Sequence, residues 1–291
     1  MAIGDFVPSI WSARFQENLN KALVWGNVFG RNHDAEVDAS GNVAKVPVFS
    51  KEFTIGSYTE DTDITAPETA DGSVVDVSLD KKKYFNFQVD DVRAVQSQPD
   101  LIDKSMERAA YGMASQIDTD LKDSISVVST NQVADISDTI AAAWGTKFIQ
   151  AVASVKRQML NVGVPVENRW MVVAPDVIYG LDLYFIARAS DSIYVPATAE
   201  DSLRNGFRGN LLGFQMYVTP TPFTREVSSS TVKHVVLGQG TGNQAFVNQI
   251  TEVENYRLEK RFADGVKGLN VYGSKTIADT QLWDIGHADA T

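Results

Sequence analysis

Residues Pro99 to Val128 constrain the fold of this chain more than any other stretch. Apolar side chains recur at Ile102, Met106, Ala109, Ala110, Met113, Ile117, Leu121, Ile125 and Val128, in steps of three and four. That spacing puts them on one face of an α-helix. Lys104, Glu107, Arg108, Ser115, Asp118 and Lys122 fill the other face. Pro99 suits a first helical turn, where its missing N–H is no loss, and Asp100 and Asp103 favour the positive helix end. Gly112 is the weak point, costing about 1 kcal/mol against Ala. At 1.5 Å per residue the rod is roughly 43 Å long. A compact body of this chain length is only ~50 Å across. The helix would therefore cross almost the whole body, and the rest must be hung on it.

The second constraint is charge. From Glu52 to Asp80 the chain carries Glu52, Glu60, Asp61, Asp63, Glu68, Asp71, Asp76 and Asp80, with no Lys or Arg among them. Between Thr54 and Ser73 the only sizeable apolar residues are Ile55, Tyr58 and Ile64, too little to bury a core. Strand-like residues flank this part, Val46 and Val48 before it and Val75, Val77 and Leu79 after it, and Asp71-Gly72 supplies a turn signal. The pattern predicts an extended two-stranded arm over 43–80 with a polar tip, and Pro47 marks its first strand as an edge. Legs of up to ~22 residues could reach on the order of 70 Å. A lone ribbon of that kind is marginal in water. It needs something to lie on.

Around these two stretches the chain alternates helix and strand signals. Residues 1–42 read as an N-terminal arm with one short helix (Trp11, Phe15, Leu19, Leu23) and a polar loop over 31–42. Tyr84 to Val89 alternates as a strand. Ile136–Gly145 and Thr146–Val162 read as helices, Thr146 capping a stripe of Phe148, Val152, Val155 and Met159. Arg169–Ala174 is a buried-strand run, and Pro175 opens a short helix to about Ile186. Residues 187–210 read as loop, Leu211–Thr219 and His234–Leu237 as strands, and Pro220 to Ser230 as a connector. The closing part reads as a strand Tyr256–Phe262, a turn at Asp264-Gly265 and a strand Leu269–Ile277.

Composition excludes several function classes. A net charge of −11 argues against tight binding to a phosphate backbone. With no Cys there is neither a disulfide framework nor a thiolate metal site. The first residues lack the basic and apolar regions of a signal peptide, and no apolar run approaches the ~20 residues that span a bilayer. The expectation is a soluble, intracellular product.

Motifs that invite a catalytic reading fail on context. Gly238-Gln239-Gly240-Thr241-Gly242 follows a strand, but Gln244–Val247 then looks like another strand rather than the helix a dinucleotide site requires. It reads as a turn. Gly268 to Thr276 is nearly a phosphate loop, but Ser274 sits where the Lys must be. His33, His234 and His287 show no metal-ligand spacing, and there is no GxSxG elbow. Glu60, Asp61 and Asp63 lack the Gly and Glu positions of a calcium loop. The sequence assigns no catalytic residue, no cofactor and no metal.

The order of parts resembles the major capsid proteins of tailed bacteriophages, with the Hong Kong 97 type of capsid fold. The residues that carry the likeness are Phe6-Val7-Pro8-Ser9-Ile10-Trp11, Lys81–Tyr84 with Phe85-Asn86-Phe87, Asp90-Asp91-Val92, Gln96-Ser97, Leu212–Val218, Asp264–Gly268 and Val271-Tyr272-Gly273. The resemblance implies an α+β subunit with an N-terminal arm (1–42), an extended hairpin loop (43–80), a peripheral domain holding a spine helix (81–130 and 253–291) and an axial domain (131–252). It implies a structural protein rather than an enzyme, one that self-assembles as hexamers and pentamers into an icosahedral shell around double-stranded DNA. It also implies assembly in the host cytoplasm, residence in the virion capsid, a portal, only weak contact with the packaged DNA, and no membrane partner. Met1 directly before the arm points to a separate scaffolding protein. Two other readings stand beside this one: an encapsulin-like shell around protein cargo, and a carboxylate-dependent hydrolase using the acidic loop. Within the shell reading, the arm is expected to dock on the closing strands of an adjacent subunit. Ile55, Tyr58 and Ile64 would supply apolar contact, and Glu60, Asp61 and Asp63 would meet the basic strand of Arg257, Lys260 and Arg261.

Overall fold

The structure is a computed structural model that describes residues 24–29, 43–48, 54–60, 63, 66–68, 72–90, 101–136, 140, 142–187, 207–227, 230–240, 242–259 and 262–287. Helix α1 spans Trp25–Phe29, and strands β1 (Val43–Val48) and β2 (Ser73–Ser78) pair antiparallel as a two-stranded ribbon. Strand β3 (Lys81–Asp90) leads toward helix α2 (Leu101–Asp123). Then follow β4 (Gln132–Ile136), α3 (Ala142–Asn161), β5 (Arg169–Val173), α4 (Pro175–Ala187), β6 (Phe207–Leu211), β7 (Phe214–Val218) and β8 (Phe223–Val227). Strands β9 (Ser230–Gln239), β10 (Gln244–Arg257), β11 (Ala263–Thr276) and β12 (Trp283–His287) complete the chain.

Two layered units result. In the first, β10, β11 and β3 form a three-stranded antiparallel sheet. Its inner face (Val253, Val266, Phe85, Phe87) packs on the stripe of α2, where Met106, Ala110, Met113, Ile117 and Leu121 are buried. In the second, strands in the order β4-β12-β9-β5-β7-β6 make the larger sheet, with β8 added on β9. Its α3/α4 face holds Met171, Val173, Val235, Leu237, Trp283 and Ile285 against Phe148, Val152, Val155 and Met159. The other face turns Trp170, Val172 and Val236 toward the core shared with α2. Strand β5 is thus buried on both faces, which is why Trp170–Val173 reads as an unbroken apolar run rather than an alternation. Gly238 lies where a Cβ would enter the Trp170 ring, so the ring sits flat on the neighbouring strand.

Several boundaries differ from the sequence reading. The long helix is 23 residues, roughly 35 Å at 1.5 Å per residue, rather than the full stretch to Val128. The Ser124 hydroxyl bonds back to the Leu121 carbonyl at 2.7 Å and closes the last turn, and Ile125 stays buried outside the helix. Pro99 and Asp100 lie outside the described residues. Of the expected helix at Ile136–Gly145, Ile136 ends strand β4 and Ala142–Gly145 forms the first turn of α3, which runs straight through Thr146; residues 137–139 and 141 lie outside the described residues. Gly145 belongs inside that helix because a Cβ there would collide with Tyr184 of α4. The segments expected as loop or connector contribute β6 and β8. The expected strand 211–219 is broken at Leu212 (φ 53°) and Gly213 (φ 94°), a left-handed pair of the kind that makes a tight hairpin. In the closing part Asp264-Gly265 is not the turn: β10 ends at Arg257, Leu258 N–H bonds Ala263 C=O at 3.2 Å, and β11 runs from Ala263 on through Gly265.

Candidate assembly surface

Helix α2 is fastened to its surroundings by two buried carboxylates. Asp118 is 4% exposed and accepts the backbone N–H of Val24 at 2.9 Å and of Trp25 at 3.1 Å, so it caps α1 from the side of α2. Burial pushes its pKa up to about 6, against the pull of those backbone bonds. Trp25 stacks on Phe29, Phe29 meets Trp170 edge-on, and Trp25 Nε1 donates to the Thr221 carbonyl at 3.0 Å. Residues 24–29 therefore tie α2 to the larger sheet. Asp120, on the other flank, accepts the Tyr272 hydroxyl and faces Lys83 at 3.5 Å and Lys81 at 4.0 Å. Burial, followed by this bond, holds the Tyr272 phenol well above its ordinary pKa. Two of the three lysines at the base of the arm thus anchor β3 to α2.

The outer face of the three-stranded sheet divides into two parts. At one end β1 and β2 lie on it, burying Ala44, Val46, Val77 and Leu79 against Ala245, Val247 and Val271. Gly273 permits this, since a Cβ there would strike the Ser78 carbonyl. At the other end the rows Glu254–Lys267–Asn86 and Tyr256–Gly265–Gln88 stand open. Lys267 pairs with Glu254 at 2.6 Å, and the Tyr256 hydroxyl donates to Asn86 Oδ1 at 3.0 Å.

The described residues of the hairpin beyond its six-pair ladder are exposed. Ile55 is 95% and Tyr58 73% accessible, and Glu60 and Asp63 are open to solvent. Arg257 ends β10 and pairs with Asp264 on β11 at 2.9 Å. It thus meets an acid of its own sheet, and Lys260, Arg261, Asp61 and Ile64 lie outside the described residues. The structure does not bring the acidic tip and Arg257 together within one chain. Asp118 and Asp120 stand in the sequence as ordinary carboxylates of the helix, and nothing there marks their distant partners Trp25 and Tyr272 or the nearer Lys81 and Lys83.

The remaining buried charges look structural. Arg225 reaches Asp284, and His234 Nδ1 lies 3.4 Å from the same carboxylate. Burial, then Arg225 and His287, lowers the His234 pKa to about 4, while burial raises Asp284 to about 6. Among the described residues no group of three or more His, Cys, Asp or Glu could hold a metal ion. None of the described helices is long and apolar enough to cross a membrane.

Comparison with solved structures adds the architecture. The capsid of cyanophage P-SCSP1u superposes with a TM-score of 0.65 at 16% identity, over 87% of this chain and 86% of that one. The structure named for Mycobacterium phage Che8 gives 0.61 at 21%, covering 90% of each chain. The chain has a Hong Kong 97-like capsid fold. The same fold brings in the holo-SrpI encapsulin complex of Synechococcus elongatus PCC 7942, with a TM-score of 0.55 at 12% identity over 88% of this chain and 84% of that one. No family model matches the chain, and no curated protein matches it.

Proposed function

We propose that this chain is the repeating subunit of a closed icosahedral shell, the major capsid protein of a tailed phage. In this reading hexamers and pentamers of the chain tile a shell around double-stranded DNA, with a separate scaffolding protein and a portal assisting assembly in the host cytoplasm. Residues 43–80 act as the extended hairpin. The unit built on α2 and the three-stranded sheet is peripheral, and the unit built on the larger sheet, which includes β12, is axial. One observation carries the proposal: a capsid-type fold bears an arm whose apolar side chains Ile55 and Tyr58 find no cover among the described residues. A ring made from one repeated heterologous contact closes by symmetry and supplies that cover.

The encapsulin likeness supports a second reading, in which the shell holds protein cargo. Both are tested together. Electron microscopy of purified particles should reveal closed shells, and their contents after nuclease treatment separate the two: protected DNA supports the phage reading, protein cargo without DNA the other. A chain that stays monomeric at every concentration overturns both.

A further inference from the structure

We propose that residues 24–29 form a detachable clasp across the joint between the two units, held shut by the Asp118 carboxyl and loosened when that carboxyl ionises. The clasp belongs to the single subunit. It goes beyond the shell reading and does not depend on it.

The segment has little hold of its own. Helix α1 has five residues, far fewer than the ~12–15 an isolated helix needs in water, so it exists through its supports. The Asp118 carboxylate accepts the backbone N–H groups of Val24, Trp25 and Gly26. The Trp25 indole donates to the Thr221 carbonyl just before β8. Trp25, Val28 and Phe29 enter the core that α2 shares with Trp170 and Val172 of β5. One support is thus on α2, one beside β8 and one on the larger sheet. Another flank is loosely packed. A cavity of about 220 Å³ is lined by Asn27 and Val28 of the clasp and by Asn168, Gln215 and Tyr217 across from them. Opening withdraws Trp25, Val28 and Phe29 from the shared core, and so lets the two units move against each other.

The charges around the clasp are engaged elsewhere or turned outward. Helix α1 itself has none. On α2, Asp120 is held by Tyr272 and by Lys81 and Lys83 of β3, and Lys122 pairs with Asp123. Lys104, Glu107 and Arg108 are exposed nearer the start of that helix. On β8, Arg225 holds Asp284 and Glu226 is exposed. On β10, which also packs on α1, Glu252 and Glu254 are exposed, Lys267 holds Glu254, and Arg257 pairs with Asp264.

Burial therefore sets the response. It raises the Asp118 pKa from 3.8 to about 6, against the three backbone bonds. In the open clasp the carboxyl is solvated and returns to its ordinary range. The shut clasp holds the proton more tightly, so acid favours closure, and that advantage is lost as the pH rises through about 6. Between pH 5 and pH 7.5 the open fraction should rise about tenfold.

The test is hydrogen exchange of the unassembled full chain, resolved to short peptides by mass spectrometry and corrected for the intrinsic pH dependence of exchange. Amides of residues 24–26 should be about tenfold better protected at pH 5 than at pH 7.5. At both values they should be less protected than those of β5, which lies in both cores. Protection equal to that of β5 would mean that the segment opens only with the whole chain, and overturns the clasp. A flat or reversed pH response overturns the role of Asp118. In Asp118→Asn the protection should be the same at both pH values, and a surviving tenfold difference refutes the assignment to this carboxyl. Trp25→Phe keeps the backbone bonds to Asp118 and removes the bond to Thr221, and it decides the matter if Asp118→Asn does not fold. It should lower the protection at both pH values and keep their ratio near tenfold. Undiminished protection, or a ratio near one, overturns the mechanism.

Discussion

Asp118 offers a measurement whose size follows from its surroundings. Its carboxyl titrates near 6 in the folded chain, raised chiefly by burial from an ordinary value of 3.8. The folded state therefore holds the proton more tightly than the unfolded one. The stabilisation this gives is fully present below pH 3.8 and is lost as the pH rises through about 6. At full extent the shift is worth on the order of 3 kcal/mol, and between pH 7.5 and pH 5 the gain is about 1.4 kcal/mol. Asp118→Asn removes the titration but keeps one oxygen to accept the Val24 or Trp25 N–H. The variant carries a constant penalty of about 1–3 kcal/mol for the amide left without a partner. That penalty does not depend on pH, so the difference between wild type and variant isolates the carboxyl. Urea unfolding of the unassembled chain, followed by the fluorescence of buried Trp25, gives both stabilities at each pH. Wild type should gain about 1.4 kcal/mol on the variant between pH 7.5 and pH 5. A flat difference, or one of opposite sign, would mean that the carboxylate is solvated or that its backbone bonds outweigh its burial.

Other outcomes follow from particular contacts. Ile117, fully buried on the inner face of α2, should cost about 2–5 kcal/mol when cut to Ala, while exposed Lys104→Ala stays within ~0.5 kcal/mol, both read by thermal unfolding. Gly238→Ala forces a methyl into the Trp170 ring and should destabilise by about 1–3 kcal/mol in the same assay. His234 titrates near 4 rather than 6.5, so its neutral form favours the fold at neutral pH and that contribution is lost as the pH falls below 6.5. His234→Phe should flatten this part of the acid-unfolding profile. Limited proteolysis should cut the free chain first within 54–60 and spare that segment in assembled particles.

The sequence made the long helix and the arm legible because each has a one-dimensional signature: a three-four apolar stripe in the first, carboxylates without bases in the second. Strand β5 was legible for the same reason. What escaped depends on partners far away in the chain. Asp264-Gly265 reads as a turn, yet Gly265 is in β11 because the Tyr256 ring crosses the neighbouring strand there. Strand β4 has no local signature because its pairing partner, β12, comes some 150 residues later. The Asp264 carboxylate that pairs with Arg257 across the hairpin is another partner the local sequence does not mark. Gly112 reads in the sequence only as a defect in a helix, whereas in the fold a Cβ there meets no atom within 4 Å.

The central claim is that this chain closes into a shell through its arm. Cryo-electron microscopy of the assembled full chain tests it most directly. A closed icosahedral particle with density for residues 54–60 running over a neighbouring copy is the expected result. Particles in which that segment folds back on its own subunit, or a chain that forms no closed particle, would contradict it.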